Sequence, residues 1–319
     1  MPIALDIFRA LADSTRLRIL ALLRSMELSV GELAQVLGQS QPRVSRHVKI
    51  LCDAGLAERR KEGSWVFVAP GRPELVEPIA NALAAWETVE PDHWAVADAA
   101  RLAAVRADRA AAAQSWFAAH AGEWDAIRSL HVAESQVEDA MKAVLGDAPI
   151  ASLIDIGTGT GRMLELFAGQ AEQALGIDRS SEMLRLARVK LAEQGLNHAE
   201  LRQADLYALP LGDAAADAAI VHHVLHFAQQ PGAAIREAAR VLMPGGRLLI
   251  ADFAPHDLEE LRTRDAHARL GFSDEQMLGW FEAAGLLPMR TETLEGGELT
   301  VKLWLARKGD AGIEKAKAA

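Results

Sequence analysis

The first seventy residues carry short apolar repeats of helical period, separated by turn-forming residues. Apolar positions recur with helical spacing over residues 17–23, behind a possible N-cap at Asp13. A second short repeat follows Ser29, and a third follows Pro42, a residue type favoured in the first turn of a helix. Two strand-like runs within residues 56–68 then flank a turn that contains glycine. The pattern predicts a small helical unit that ends in a β-hairpin.

The third of these helices has a polar face that suits DNA. Its residues are Gln41, Arg43, Ser45, Arg46, His47 and Lys49. Arginine can bind guanine through two hydrogen bonds, whereas lysine and serine bind phosphates. The hairpin adds Arg60 and Lys61 near its tip, where a wing would contact the DNA backbone and make the affinity salt-dependent. The pattern favours a helix-turn-helix with a wing, and a small helical domain with a solvated basic face is the alternative.

This part of the chain resembles the winged-helix repressors of the ArsR family. The residues that carry the resemblance are 8–20, 33–37 and 45–51. The resemblance implies double-stranded operator DNA as a partner, and a homodimer formed through helices that flank the winged domain. The apolar stripe available for such a dimer, which could instead pack on a second domain, is Leu75, Val76, Ile79, Leu83 and Trp86. Many members bind metals through cysteines where this chain has Ser29 and Gly31. Neither residue replaces a thiolate, so we do not expect that metal site.

From residue 149 onward, strand-like apolar runs alternate with helix-like segments, which predicts an α/β fold with a parallel sheet. The first run, residues 151–156, leads into Gly157-Thr158-Gly159-Thr160-Gly161, and a helical pattern follows. Glycines between a strand and a helix let a ligand approach the backbone amides at the helix start. A purely structural turn is the alternative explanation of this motif.

Acidic residues accompany three successive strands of this pattern, at Asp155, Asp178 and Asp205. The carboxyl ends of parallel strands share one edge of a sheet, where ligands bind in open α/β folds. Asp178 can accept hydrogen bonds from both hydroxyls of a ribose. Met183, at the start of the next helix, is placed to cover a flat base, and Asp205 can accept from an exocyclic amine.

The region 115–307 resembles the class I S-adenosylmethionine-dependent methyltransferases, which have a Rossmann-like fold. The specific matches are residues 155–161 and 239–246. The resemblance implies S-adenosylmethionine as the cofactor, S-adenosylhomocysteine as the product and a small molecule as the methyl acceptor. The residues expected at the cofactor are Asp155, Gly157, Thr158, Gly159, Gly161, Asp178, Arg179, Met183, Asp205, Leu206 and His222. An aromatic and polar cluster at residues 116–131 is expected to cover the pocket.

Methyl transfer needs a base only when the acceptor arrives protonated. The candidate catalytic residues are His223 and His226, which follow the fourth strand of the pattern, and a structural role is the alternative for each. Asp252, His256 and His267 are further candidates in the following segments. We do not expect a metal site built from these residues, because consecutive residues of a strand point to opposite faces.

The formal net charge of −10 is unevenly distributed along the 319 residues. Residues 1–72 hold eleven Lys and Arg against seven Asp and Glu, a net of +4, which leaves −14 for the rest. A basic block on an acidic body indicates that only the first part meets a polyanion, although chance surface composition gives the same pattern. No apolar run reaches the roughly 18–20 residues needed to cross a bilayer, and the first residues lack the basic start and long apolar core of a secretory signal. The single cysteine, Cys52, excludes an internal disulfide, so we expect a cytoplasmic protein without a membrane partner.

The predicted organisation therefore has four parts. They are a winged helix-turn-helix domain at residues 1–72, a helical dimerisation or linker region at 73–114, a methyltransferase domain at 115–307 and a flexible tail at 308–319. Two functions remain open at this point. The protein is either a bifunctional regulator and small-molecule methyltransferase, or a non-catalytic regulator that senses S-adenosylmethionine or S-adenosylhomocysteine.

Overall fold

The structure is a computed structural model that describes residues 2–62, 65–87, 94–105, 107, 134–196 and 198–309. The chain forms two compact units, Met1–Ala112 and Ala113–Ala319, and each is described by itself. The cluster at residues 116–131, predicted to cover the pocket, lies outside the described residues.

The first unit consists of short helices and a three-stranded antiparallel sheet. Its helices are Pro2–Leu11, Ser14–Leu23, Val30–Leu37, Gln41–Asp53 and Pro73–Glu87, followed by a helix at residues 94–105. Its strands are β1 (Leu28–Ser29), β2 (Ala57–Glu62) and β3 (Trp65–Pro70), in the order β1-β3-β2. The N-cap expected at Asp13 is present, because its side chain accepts from the amide of Arg16. The structure adds a capping box between Ser29 and Glu32 at the start of the next helix.

The helix at residues 94–105 belongs to the core of this first unit. Leu102 and Val105 are buried in the same apolar cluster as Leu33 and Val44. On the same helix, Asp98 accepts two hydrogen bonds of 2.6 Å from the guanidinium of Arg18. The region predicted to be a separate helical linker, residues 73–114, therefore contributes to the winged unit where it is described.

The second unit is built on a seven-stranded sheet in the order β6-β5-β4-β7-β8-β10-β9. Its strands are β4 (Ile150–Ile156), β5 (Ala171–Asp178), β6 (Ala199–Gln203), β7 (Ala216–His222), β8 (Leu242–Phe253), β9 (Leu286–Leu294) and β10 (Val301–Lys308). Strands β4 to β8 are parallel, and β10 runs antiparallel between β8 and β9. Lys308, the first residue of the predicted flexible tail, belongs to β10 and pairs with Leu286, and residues 310–319 of that tail lie outside the described residues.

Both faces of this sheet are covered. The helices of the unit are Glu134–Leu145, Arg162–Phe167, Ser181–Glu193, Pro231–Val241, Glu260–Arg264 and Asp274–Ala283. Ile154 and Ile156 pack in one buried cluster, whereas Leu153, from the alternate register, packs in the cluster on the other face. No helix among the described residues has the length and apolarity that crossing a membrane requires.

The strand order reverses beside β4. The chain runs outward from β4 through β5 to β6 and then returns to β7, which lies on the other side of β4. In open α/β sheets this reversal leaves a crevice at the carboxyl ends of the two central strands, and ligands bind there. The glycine motif follows β4 and the histidines follow β7, so the topology brings both to this edge.

Candidate functional site

The glycine motif forms a tight turn between β4 and the helix Arg162–Phe167. Gly157, Gly159 and Gly161 have φ angles of +77°, +53° and +88°, a left-handed region that favours glycine. A Cβ added to Gly157 would lie 2.3 Å from a methyl carbon of Val224, because the loop after β7 packs directly on this turn. The turn therefore needs glycine at position 157 for both its conformation and its close packing.

Asp155, the acid before the glycine motif, stabilises the turn through a side-chain hydrogen bond. Its carboxylate accepts a hydrogen bond of 2.6 Å from the hydroxyl of Thr158, and the Asp155 side chain is buried. The amides of Gly157 and Thr158 donate to the carbonyl of Ile177 on β5, at 2.7 and 2.9 Å. These bonds fix the turn against the neighbouring strand.

Asp178 lies at the end of β5, next to the glycine turn. One carboxylate oxygen accepts from the amide of Gly159 at 2.8 Å, and the other accepts from the amide of Ser180 at 2.8 Å. Burial raises the pKa of Asp178, and these backbone hydrogen bonds oppose that shift. A carboxylate has about four acceptor positions on its two oxygens, so Asp178 keeps capacity for a ligand hydroxyl beyond its backbone partners Gly159, Ser180 and Arg179.

The remaining residues predicted to bind the cofactor lie around Asp178. The amide of Ala204 donates to the carbonyl of Asp178 at 3.0 Å, which brings Asp205 and Leu206, both half-buried, beside the end of β5. Arg179 is exposed, and its carbonyl accepts from the amide group of Gln203 at 2.9 Å. Met183 is only 1% exposed, so little of its surface is available to a base in this structure.

This arrangement fits S-adenosylmethionine, the cofactor that the sequence resemblance implies. The three glycines of the turn add no side chains beside the start of the helix, and Asp178 supplies a carboxylate for ribose hydroxyls. Asp205 already accepts from the amide of Tyr207 at 3.0 Å through one oxygen, which leaves acceptor capacity for an amine.

A cluster of buried histidines lies where β7 and β8 end. The Nδ1 atom of His226 is 2.7 Å from a carboxylate oxygen of Asp252, and the His226 amide donates to the other oxygen at 3.2 Å. His222 precedes them at the end of β7, with Nε2 3.8 Å from an oxygen of Glu134. Burial raises the pKa of Asp252 to about 6, and nearby His223 lowers it.

The sequence argument against a metal site rested on the alternation of consecutive strand residues, here His222 and His223. That alternation ends with the strand and does not extend to His223. In the structure β7 ends at His222, and His223 adopts a φ of +53°. This turn places donor atoms of His223, His226 and Asp252 within 4.8 Å of one another.

Aromatic rings enclose the cluster. The ring of His226 lies 4.0 Å from that of Phe227, 4.3 Å from that of His267 and 4.9 Å from that of Phe253, measured between centroids. His267 and Arg269, in the segment that follows β8, are both buried. Sequence reasoning missed Phe227 and Phe253, because only their positions beside strand ends distinguish them from core residues.

The predicted DNA-binding face is present on the helix Gln41–Asp53. Gln41, Arg43, Arg46 and Lys49 are exposed, and Ser45 and His47 are half-buried. Lys49 pairs with Asp53 at 2.8 Å, one turn further along the helix.

The structure corrects one residue of the wing. Arg60 was predicted to contact DNA, but Glu27 holds its guanidinium at 2.5 and 3.2 Å. Lys61 remains exposed on β2. Sequence reasoning missed Arg59, which donates to the carbonyl of Ser45 at 2.7 Å and so ties the wing to the recognition helix.

Comparisons with known proteins divide the chain in the same way. Residues 13–59 match the family described as bacterial regulatory protein, arsR family, and residues 154–250 match the family described as methyltransferase domain. The arsenic resistance transcriptional regulator ArsR1 of Pseudomonas putida is 37% identical over 100 residues, which cover 30% of this chain and 75% of that protein. The arsenical resistance operon repressor of Escherichia coli is 48% identical over 63 residues, which cover 19% of this chain and 54% of that protein.

A solved structure shares the fold of the second unit. The YcgJ protein of Bacillus subtilis is 20% identical, with a TM-score of 0.50, and the match covers 56% of this chain and 100% of that chain. In sequence, the chain matches only 36%, 42% and 49% of the length of three curated relatives, the second of which is YcgJ itself. The matches confirm the predicted fold class, an α/β chain with a winged domain and a Rossmann-like methyltransferase domain, and agree with S-adenosylmethionine as the cofactor.

Proposed function

Because the chain belongs to the ArsR family of bacterial regulatory proteins and also carries a methyltransferase domain, we propose that it joins two activities. Its first unit binds double-stranded operator DNA. Its second unit transfers a methyl group from S-adenosylmethionine to a small molecule and releases S-adenosylhomocysteine. The observation that carries the proposal is the carboxylate of Asp178, held by the amides of Gly159 and Ser180 beside the glycine turn.

In this proposal the cofactor lies along the edge formed by β4, β5 and β6. Gly157, Thr158, Gly159 and Gly161 present backbone to the methionine part, and Asp155 keeps their turn in place. Asp178 binds the ribose, and Asp205 accepts from the adenine amine. Four further residues are proposed to lie beside the cofactor, and Met183 has the least exposed surface among them. They are Arg179, Met183, Leu206 and His222.

S-adenosylmethionine supplies an electrophilic methyl group on a sulfonium, and the protein's main task is to align the acceptor with it. For an acceptor that arrives protonated, His226 is the proposed base. Assigning a proton to its Nδ1 lets that atom donate to Asp252 and leaves Nε2 to accept the acceptor's proton. His223 is the second candidate, because it lies beside Asp252 as well.

The first unit is proposed to contact the major groove through Gln41, Arg43, Ser45, Arg46, His47 and Lys49. Lys61 is proposed to contact the backbone beside it. A homodimer is part of the proposal, because the helix Pro2–Leu11 leaves Phe8 69% exposed and Leu5 53% exposed. Leu75 and Ile79 of the predicted dimer stripe pack partly on the winged core, which reduces what that stripe offers a partner. A cytoplasmic location follows from this role.

One experiment separates the enzyme from the sensor. The full-length protein is incubated with S-adenosylmethionine labelled at the methyl group and with a small-molecule extract, and transfer of label to acceptors is followed. Acceptor-dependent production of S-adenosylhomocysteine supports the enzyme. Binding of S-adenosylhomocysteine that changes the affinity for upstream DNA, without any transfer, supports the non-catalytic sensor instead.

A further inference from the structure

The histidines after β7 form an arrangement that methyl transfer does not account for. His223, His226 and Asp252 each offer one ligand atom, all three residues are buried, and the three atoms lie within 4.8 Å of one another. Among the residues that the structure describes, this is the one group of histidine, cysteine or acidic side chains with such a geometry. Only one of the three residues, His226, is needed as a base.

The backbone places these residues together at an energetic cost. His223 is not glycine and yet has a φ of +53°, a conformation that costs energy and that persists mainly at functional sites. The His223 amide donates to the carbonyl of Ala251 at 2.8 Å, so the residue is fixed directly beside Asp252. A His223 in ordinary extended backbone would continue β7 and point away from its neighbour.

The carboxylate of Asp252 is oriented by its own hydrogen bonds. The amide of Phe253 donates to one oxygen at 2.8 Å, and the amide of His226 donates to the other at 3.2 Å. Outer hydrogen bonds of this kind hold the ligands of metal sites in position. The rings of Phe227 and Phe253 lie within 5 Å of His226, centroid to centroid, and limit access of water.

The donor set selects the class of ion. Two imidazole nitrogens and one carboxylate oxygen suit divalent first-row transition metals, whereas magnesium and calcium prefer oxygen ligands alone. Bonds of about 2.0–2.2 Å to a tetrahedral zinc ion separate its donors by ~3.4 Å. The His226 and Asp252 atoms, now 2.7 Å apart, would need to separate by less than one ångström, which side-chain rotation permits.

We propose that His223, His226 and Asp252 bind a divalent transition-metal ion of the Zn²⁺ or Fe²⁺ class, with coordination positions left for water or a ligand. The site adjoins the glycine turn, since Val224, the residue after His223, packs against Gly157. One consequence rests on the proposed function: the ion would bind an oxygen of the acceptor and lower the pKa of its hydroxyl, so that the proton leaves to water. That oxygen would then take the methyl group as its bond to the sulfonium sulfur breaks, which leaves S-adenosylhomocysteine. His226 would then be a ligand, and the ion would replace it as the group that activates the acceptor.

The test measures metal binding without cofactor or acceptor, so its result does not depend on methyl transfer. Tag-free full-length protein is stripped with a chelator and titrated with Co²⁺, whose visible spectrum reports nitrogen and oxygen ligation. Zn²⁺ is then titrated in competition with a chromophoric chelator. We expect one equivalent of each ion, and an affinity for Zn²⁺ at least 100-fold weaker in His223→Ala and in His226→Ala.

The matched control is His198→Ala, which removes a histidine that bonds the carbonyl of Ala168 instead. This variant should bind Zn²⁺ like the wild type. Because a core substitution can disturb folding, Asp252→Asn keeps the shape of the side chain, and saturating Zn²⁺ should raise the Tm of the wild type but not of this variant. Absence of stoichiometric binding by the wild type at 100-fold excess metal, or undiminished binding by a His223→Ala/His226→Ala double variant, overturns the proposal.

Discussion

Asp178→Asn is the substitution that best isolates the proposed cofactor site. It keeps the size of the side chain and removes its charge. In the structure both carboxylate oxygens accept backbone hydrogen bonds of 2.8 Å, from Gly159 and from Ser180. The amide group of asparagine has one acceptor oxygen, so its NH₂ must face one of these two N–H groups. The substitution thus weakens the glycine turn and the contact with ribose together.

The expected loss follows from the kind of hydrogen bond that is replaced. A hydrogen bond to a charged group contributes about 1.5–3 kcal/mol, and one between neutral groups contributes about 0.5–1.5 kcal/mol. Exchanging two charge-assisted bonds from the ribose hydroxyls for one neutral bond should cost about 1.5–5.5 kcal/mol of binding free energy, which raises the Kd at least about tenfold.

Calorimetry with S-adenosylhomocysteine, which is chemically stable, measures this difference in Kd directly. Glu172→Gln is the matched control, because it removes a carboxylate charge from an exposed position on the same strand, β5. Circular dichroism of both variants establishes that the sheet is intact. A Kd for Asp178→Asn within threefold of the wild-type value would refute the assignment of Asp178 to the ribose.

Three further predictions concern other parts of the molecule. Gly157→Ala should weaken binding of S-adenosylhomocysteine at least tenfold by calorimetry, whereas Gly146→Ala, which has the same φ of +77° but nothing within 4 Å of the added Cβ, should leave the affinity unchanged. Arg46→Ala should weaken binding to operator DNA by about 1–3 kcal/mol in fluorescence anisotropy. Arg188→Ala, which changes an exposed arginine of the second unit, should leave that affinity unchanged, and equal affinities of the two variants would contradict the assigned recognition face. Asp98→Ala should destabilise the winged unit by about 3–5 kcal/mol in hydrogen exchange, because it leaves Arg18 buried without its partner; an Arg18→Met/Asp98→Leu variant should recover most of the loss.

The cofactor edge was predictable because its chemistry is local in the sequence. Three glycines within five residues require left-handed backbone, and the acids at Asp155 and Asp178 follow directly from where two apolar runs end. The parallel arrangement then brings these ends to one edge without further information. For the same reason the predicted N-cap Asp13 marked the start of its helix correctly.

The errors share a physical origin, which is a contact made between residues distant in sequence. Arg60 looked available for DNA because Glu27, its partner, is 33 residues away. Residues 94–105 looked like a connector because the partner of Asp98, Arg18, lies 80 residues earlier. Periodicity identifies a helix and its apolar face, but it does not determine which element that face packs against.

The position of His223 depends both on a local sequence rule and on a contact with residues distant in sequence. Alternation within a strand is a sound local rule, and it fails here because the last pairing of β7 on β8, His222 with Ala251, ends the strand one residue earlier than the apolar pattern does. The amide of His223 then donates to the same Ala251, and its side chain turns toward Asp252. The residues proposed to bind the cofactor use backbone amides of the glycine turn and the carboxylates at the ends of β4 and β5 and after β6. The residues proposed to act on the acceptor depend instead on this single irregular residue after β7. Apart from His222, cofactor binding and chemistry therefore rest on separate residues, so binding of S-adenosylmethionine alone does not distinguish an enzyme from a sensor, whereas the methyl-transfer assay does.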